Sequence, residues 1–215
     1  MKAGPPPALY ARLMLTDDPL RIYAELLRRA PHNLMSPRGL AELEERHFPE
    51  CRRLAGSLPF VATRRQRLLD VGSGGGLPGL VIAIERSDLD VHLLEATAKK
   101  VDFLRQTCER LDLPVQVHHG RAEELLRSSL GGTFDVVTAR AVAPLDRLLT
   151  WSIPFLRPRG LLYAVKGDRW REEVDAASAT LRRLGASIVA TPDDDAIESG
   201  VRSVIVMRND GMGSG

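Results

Sequence analysis

The chain is poor in several residue types, and each scarcity narrows what it can be. Its 215 residues include two cysteines, Cys51 and Cys108, without metal-type spacing, so neither a disulfide framework nor a metal site is implied. Cys108 falls on the apolar side of a helical stretch, where a small core residue belongs. No apolar run approaches the roughly 20 residues that a spanning helix needs. The opening Met1-Lys2-Ala3-Gly4-Pro5-Pro6-Pro7 has no apolar leader, so a cytoplasmic protein without membrane contact is expected. Aromatics make up 5%, too few for base stacking along a single strand to dominate a nucleic-acid contact. Lysine is scarce, 4 against 26 arginines. Genome base composition can produce that bias, so the arginine count alone argues nothing.

What remains is the composition of a globular domain, 44% hydrophobic and 27% charged, long enough for one substantial core. Formal net charge is +2, but it is unevenly spread. Residues 1–65 carry 11 Lys/Arg against 7 Asp/Glu, and residues 66–215 carry 19 against 21. The positive excess lies at the N-terminal end, as expected if that end meets a polyanion.

Residues 1–7 and 211–215 read as disordered. Asp18-Pro19 is a helix start, with Ile22, Tyr23, Leu26, Leu27 and Ala30 on one face until Pro31. Ser36-Pro37 starts a second helix, expected to stop where Pro49 interrupts it. Residues 1–60 thus read as a helical cap, and 61–210 as a second unit in which strands alternate with helices. Strands are expected at 67–71, 90–95, 115–118, 134–139, 161–165, 186–190 and 202–208. Helices are expected near 78–86, 98–112, 121–127, 145–156 and 169–184. That order predicts an α/β fold with a seven-stranded, mostly parallel sheet ending in a hairpin-like edge.

One run stands out: Leu68-Leu69-Asp70-Val71-Gly72-Ser73-Gly74-Gly75-Gly76-Leu77-Pro78-Gly79. A buried strand leads into a glycine-packed turn, with Pro78 where a helix starts. Glycines let backbone approach a ligand closely, and a helix start offers free N–H groups. In an open parallel sheet this is where ligands bind. Two registers fit two cofactors. Gly74-x-Gly76-x-x-Gly79 with Glu95 about 20 residues on satisfies the dinucleotide fingerprint. Asp70-x-Gly72-x-Gly74-x-Gly76, counted from the strand end, resembles the turn of class I S-adenosylmethionine methyltransferases. In that register Asp70, Gly72, Ser73, Gly74, Gly76 and Leu77 suit the amino-acid moiety. Glu95 and Ala96 suit the ribose, and Ala122-Glu123 the adenine.

Further motifs narrow the resemblance. Leu93-Leu94-Glu95-Ala96, Lys99-Lys100-Val101-x-Phe103-Leu104, Thr138-Ala139-Arg140-Ala141 and Tyr163-Ala164-Val165-Lys166-Gly167 join the glycine run. Together they resemble the small-subunit ribosomal RNA guanine-N7 methyltransferases, once called glucose-inhibited division protein B, over about residues 20–208. The cap departs from that pattern. Pro31-His32 precede Asn33-Leu34 where the family usually has tryptophan, and its His-x-x-Asp-Ser-Leu run stands here as His47-Phe48-Pro49-Glu50-Cys51.

The resemblance implies a Rossmann-like methyltransferase sheet with a helical cap, acting on 16S rRNA of the 30S subunit; a monomer without metal is expected. Carried over to matching positions, Gly72, Leu77, Ala122, Glu123 and Arg140 would contact the cofactor. Guanine N7 attacks through an in-plane lone pair and carries no proton, so no general base is required and the histidines read as structural or surface groups. Arg140 and Lys166, at adjacent strand ends, are the expected catalytic cations, touching O6 or phosphate or orienting the cofactor. RNA is expected to meet Arg28, Arg29, Arg46, Arg52, Arg53, Arg64 and Arg65 of the cap. A small-molecule methyltransferase, a nicotinamide oxidoreductase and a non-catalytic assembly factor remain alternatives.

Overall fold

A computed structural model describes residues 18–59, 61, 63–140, 142–193 and 202–210. The expected disordered ends, 1–7 and 211–215, and Ala141 lie outside them. Seven strands form one sheet: β1 (Gln66–Val71), β2 (Leu89–Glu95), β3 (Gln116–His119), β4 (Phe134–Arg140), β5 (Leu156–Val165), β6 (Ala186–Ala190) and β7 (Ser203–Arg208). Their order is β3-β2-β1-β4-β5-β7-β6, with β7 antiparallel to both neighbours. This is the class I methyltransferase fold, and strand order reverses beside β1, where β4 is its other neighbour.

Side chains alternate across the strands, so adjacent residues serve opposite cores. Leu68, Leu93 and Val136 pack with the cap and with α4 (Gly79–Glu85) and α5 (Ala98–Arg110). Leu69, Leu94 and Val137 pack with α6 (Ala122–Leu125), α7 (Leu145–Ser152) and α8 (Trp170–Arg183). Cys108 is buried on the first face, as its spacing suggests. Among the described residues no helix is long and apolar enough to cross a membrane.

The cap comprises α1 (Pro19–Arg29), α2 (Pro37–Ala41) and α3 (Phe48–Ser57), with a π-helical turn at Leu43–His47. Asp18 accepts from the Leu20 amide and Ser36 from the Gly39 amide, so both start signals act as caps. The buried face of α1 is Leu20, Tyr23, Ala24 and Leu27, rotated from the expected one and centred on Tyr23. Pro49 does not stop the chain. It sits in the first turn of α3, directly after the wide π turn, where the Phe48 amide reaches back to Leu43 O. A wide turn accommodates a proline that cannot donate to the carbonyl four residues earlier.

The region after α7 also differs from expectation. The helix ends at Ser152, a 3-10 turn covers Ile153–Phe155, and β5 begins at Leu156 rather than 161. Leu156 pairs with Phe134 and Leu161 with Val136, so Arg157–Gly160 bulges out of the ladder. Arg159 takes a positive φ of 62° there. A bulge carrying Pro158 and Gly160 reads as a loop in sequence although strand pairing holds on both sides.

Candidate active site

The glycine turn leaves the buried end of β1, and its two halves look in different directions. Gly72 and Ser73 donate their amides to Leu94 O, tying the turn to β2. Gly74, at φ +58°, donates its amide to Glu95 Oε2 (2.9 Å). The Thr97 amide donates to Glu95 Oε1 (2.8 Å). The Glu95 carboxylate is therefore fixed by two backbone amides while each oxygen keeps a further acceptor site. The later half of the turn faces the cap. Tyr23 donates its hydroxyl to Gly75 O (2.6 Å) inside the core. A Cβ on Gly76 would lie 2.8 Å from that hydroxyl and would collide with Leu80.

Asp70 lies behind the turn and is 1% exposed. Thr138 donates its hydroxyl to Asp70 Oδ1 (2.8 Å), and the Ser73 hydroxyl donates to Asp70 O (2.9 Å). Burial pushes the Asp70 carboxyl up to about 6, against hydrogen bonding from Thr138, Ser73 and the Gly79 amide. The start of α4 offers less to a ligand than the sequence implies, because its Leu80 amide is already bonded and Gly79 is packed inside. Gly79 faces Asp70, and Leu80 donates to Gly76 O.

Two cavities open at the carboxyl ends of the strands. The first, about 370 Å³, is lined by Gly72, Glu95, Ala96, Ala122, Glu123 and Arg140 among others. These are sequence-selected positions brought together from β1, β2, α6 and β4. Asp70, Ser73, Gly74, Gly76 and Leu77 do not line it; they shape the turn above it. Sequence reasoning missed Val142, Arg147 and Trp151, which also line it. Arg147 stacks 4.7 Å over the Trp151 ring, and a tryptophan four residues after an arginine on an amphipathic helix was the available signal. The volume falls within the roughly 300–1,000 Å³ typical of ligand pockets.

The second cavity, about 940 Å³, lies between α3 and the ends of β4, β5 and β7. It shares Arg140 and Val142 with the first. Arg140 is held from the cap side. Its guanidinium donates to His47 Nδ1 (2.5 Å) and Cys51 Sγ (3.6 Å) and pairs with Glu50 (3.6 Å). All three belong to the run that departs from the family pattern. Burial and then the Arg140 charge hold the His47 pKa below its usual value, as an imidazole nitrogen that must accept from a guanidinium requires. Burial pushes the Cys51 thiol up to about 12. No histidine lines either cavity.

Lys166 lines the second cavity but is tied down, with its side chain 6% exposed. It donates to Ala143 O (2.7 Å) and pairs with Glu173 (2.8 Å), which also accepts from the Leu145 amide. Lys166 and Glu173 together pin the segment after β4 that separates the cavities. The cap arginines are mostly spoken for as well. Arg28 pairs with Glu44, Arg29 with Glu25, Arg46 with Glu42 and Glu50, and Arg52 with Glu85. Arg64 joins Arg157 on Asp135, and Arg65 donates to Ser87 O.

Residues 17–194 match the family described as rRNA small subunit methyltransferase G. Ribosomal RNA small subunit methyltransferase G of Streptomyces coelicolor is 47% identical over 167 residues, 76% of this chain and 67% of that protein. The Streptomyces avermitilis protein of the same name is 45% identical over 188 residues, 85% of this chain and 76% of its own. Among solved structures, cofactor-bound Rv0187 from MTB superposes with a TM-score of 0.55 at 22% identity, over 97% of this chain and 100% of that one. M. jannaschii TYW2 in complex with AdoMet gives 0.53 at 16%, over 75% and 74%. At such identities these two show the fold alone.

Proposed function

Because the chain belongs to the rRNA small subunit methyltransferase G family, we propose that its two cavities divide the reaction between them, one for each substrate. The enzyme methylates N7 of a guanine in 16S rRNA with S-adenosylmethionine as donor. Family membership removes the nicotinamide and small-molecule alternatives that the glycine turn alone left open. The observation that carries the division of labour is that Arg140 and Val142 line both cavities.

S-adenosylmethionine fits the first cavity by the chemistry of its donors and acceptors and, when bound, supplies an activated methyl group. Glu95, with its oxygens pre-set by the Gly74 and Thr97 amides, is placed to accept from the two ribose hydroxyls. Ala96 lies beside it in the lining, Ala122 and Glu123 border the base, and Gly72 allows close approach at the methionine end. Asp70, Ser73, Gly74, Gly76 and Leu77 hold the turn in shape. The second cavity takes the guanine.

N7 has no proton to lose, so the transfer asks for no general base, and Asp70 is sealed behind the turn. The residues therefore work by positioning. Arg140 stands where the cavities meet, held by the cap so that its fork keeps one orientation. Lys166 is a positioning residue that acts through Ala143 and Glu173. The residues near 18–59 form the RNA-facing cap of a monomeric, cytoplasmic enzyme that needs no metal and takes 16S rRNA, naked or in the 30S subunit, as its partner. Thermal-shift titration tests the cofactor assignment. S-adenosylhomocysteine should raise Tm by mass action and NAD should not, and a shift with NAD alone would overturn it.

A further inference from the structure

Ion pairing separates the cations of the second cavity into two groups. Arg46 and Arg140 share Glu50, Lys166 has Glu173, and Arg202 has Asp168. All of these residues line the cavity. Arg53 and Arg169 line it too, and neither guanidinium has an ion-pair or hydrogen-bond partner among the described residues. Arg53 is the sharper case. Its Nε is shut off from solvent and has no acceptor, a costly state for a charged group and one that calls for an explanation. Its chain neighbour Arg52 is exposed and bonded to Glu85 at 2.7 Å.

We propose that Arg53, with Arg169 on the α8 side of the same cleft, grips backbone phosphates of the rRNA flanking the nucleotide that enters the cavity. The inference rests on reading this cavity as the RNA side of the enzyme. Three points favour phosphate. A guanidinium fork matches phosphate oxygens in bidentate geometry. The cleft's lining sets six cations against three carboxylates, and Arg53 and Arg169 are the two with no carboxylate within reach. Arg53 lines only the second of the two cavities, so it belongs to the RNA side rather than the cofactor side. The cap therefore meets RNA through selected arginines rather than through its total charge.

The test compares adjacent residues. Arg53→Met keeps the apolar stem and removes the charge, while Arg52→Ala removes a cation that Glu85 already neutralises. With 16S rRNA as substrate, Arg53→Met should raise KM about tenfold and reduce the slope of log affinity against log salt by roughly 0.7–1. It should leave kcat at saturating RNA and S-adenosylhomocysteine affinity unchanged. Arg169→Met should act in the same direction, and Arg52→Ala, whose guanidinium is held by Glu85, should change KM and slope far less than Arg53→Met. The loss in binding should be equal on an RNA whose target guanine is replaced by adenine, as a phosphate contact requires. A loss confined to the guanine-bearing RNA would overturn phosphate as the ligand. A normal KM and slope in Arg53→Met, or an equal loss in Arg52→Ala, would overturn the proposal. If Arg53→Met lowers Tm, Arg53→Lys decides: restored salt dependence supports the contact, and an unrestored one refutes it. Absence of methylation by the wild-type enzyme on 16S rRNA and on 30S particles alike would instead count against the RNA reading itself.

Discussion

The two cavities are built on different principles. The first is framed largely by backbone, with strand ends, a glycine turn and amides that fix a carboxylate, beside the stacked Arg147–Trp151 pair. The second is framed by paired side chains: Glu50 of α3 on Arg140 of β4, from segments far apart in the chain, and Lys166, just after β5, on Glu173 of α8. A backbone-framed site resists salt and tolerates little substitution. One held by ion pairs depends on charge balance and answers to salt and single charge changes.

Substitutions can sharpen or break that contrast. The largest effect expected is on stability through Asp70. Its folded pKa is raised from 3.8 to about 6, so the folded state holds the proton more tightly than the unfolded chain. Stability is then favoured below about pH 4 and falls as pH rises through that window, by up to about 3 kcal/mol. Denaturant titrations should show wild type losing that much relative to Asp70→Asn between acid and neutral pH. Parallel profiles would mean that the carboxyl behind the turn does not titrate as buried. Glu95→Gln comes next: removing the charge and turning one of the two acceptor oxygens into a donor should weaken S-adenosylhomocysteine about a hundredfold by calorimetry and leave RNA binding intact. A comparable loss of RNA affinity would erase the distinction between the cavities.

Arg140→Ala should cost at least about tenfold in cofactor affinity or turnover, and unlike Glu95→Gln it should also disturb the cap. Values near normal for both would remove Arg140 from the junction. Tyr23→Phe is the mildest, since it deletes the hydroxyl on Gly75 O and should lower stability by about 1 kcal/mol. Its main use is to show whether α1 holds the turn, because an unchanged Tm and unchanged cofactor affinity would mean it does not.

The same contrast explains what could be read in the sequence. Asp70, the glycines and Glu95 form contiguous motifs at strand ends, so the seven strands and the first cavity were legible. The roles inside the motifs were less so. Spacing groups Asp70 with the cofactor, while its contacts with Thr138 and Gly79 place it behind the turn. Spacing likewise cannot show that Gly76 is small for Tyr23. The second cavity was nearly illegible. A basic N-terminal segment suggested a positive cap, yet its glutamates lie on the same faces as its arginines and pair with most of them. Which arginine remains free depends on packing between α3 and the sheet, and no local pattern records that. Pro49 and the Arg157–Gly160 bulge were misread because each is a break signal that the neighbouring structure absorbs.

The most direct measurement is the rate at which N7-specific strand scission appears in 16S rRNA treated with S-adenosylmethionine and wild-type or Arg140→Ala enzyme. The expected result is scission at one guanine, produced at least about tenfold more slowly by the variant. Scission absent from the wild-type reaction, or produced equally fast by both enzymes, would contradict a transfer made where the two cavities meet.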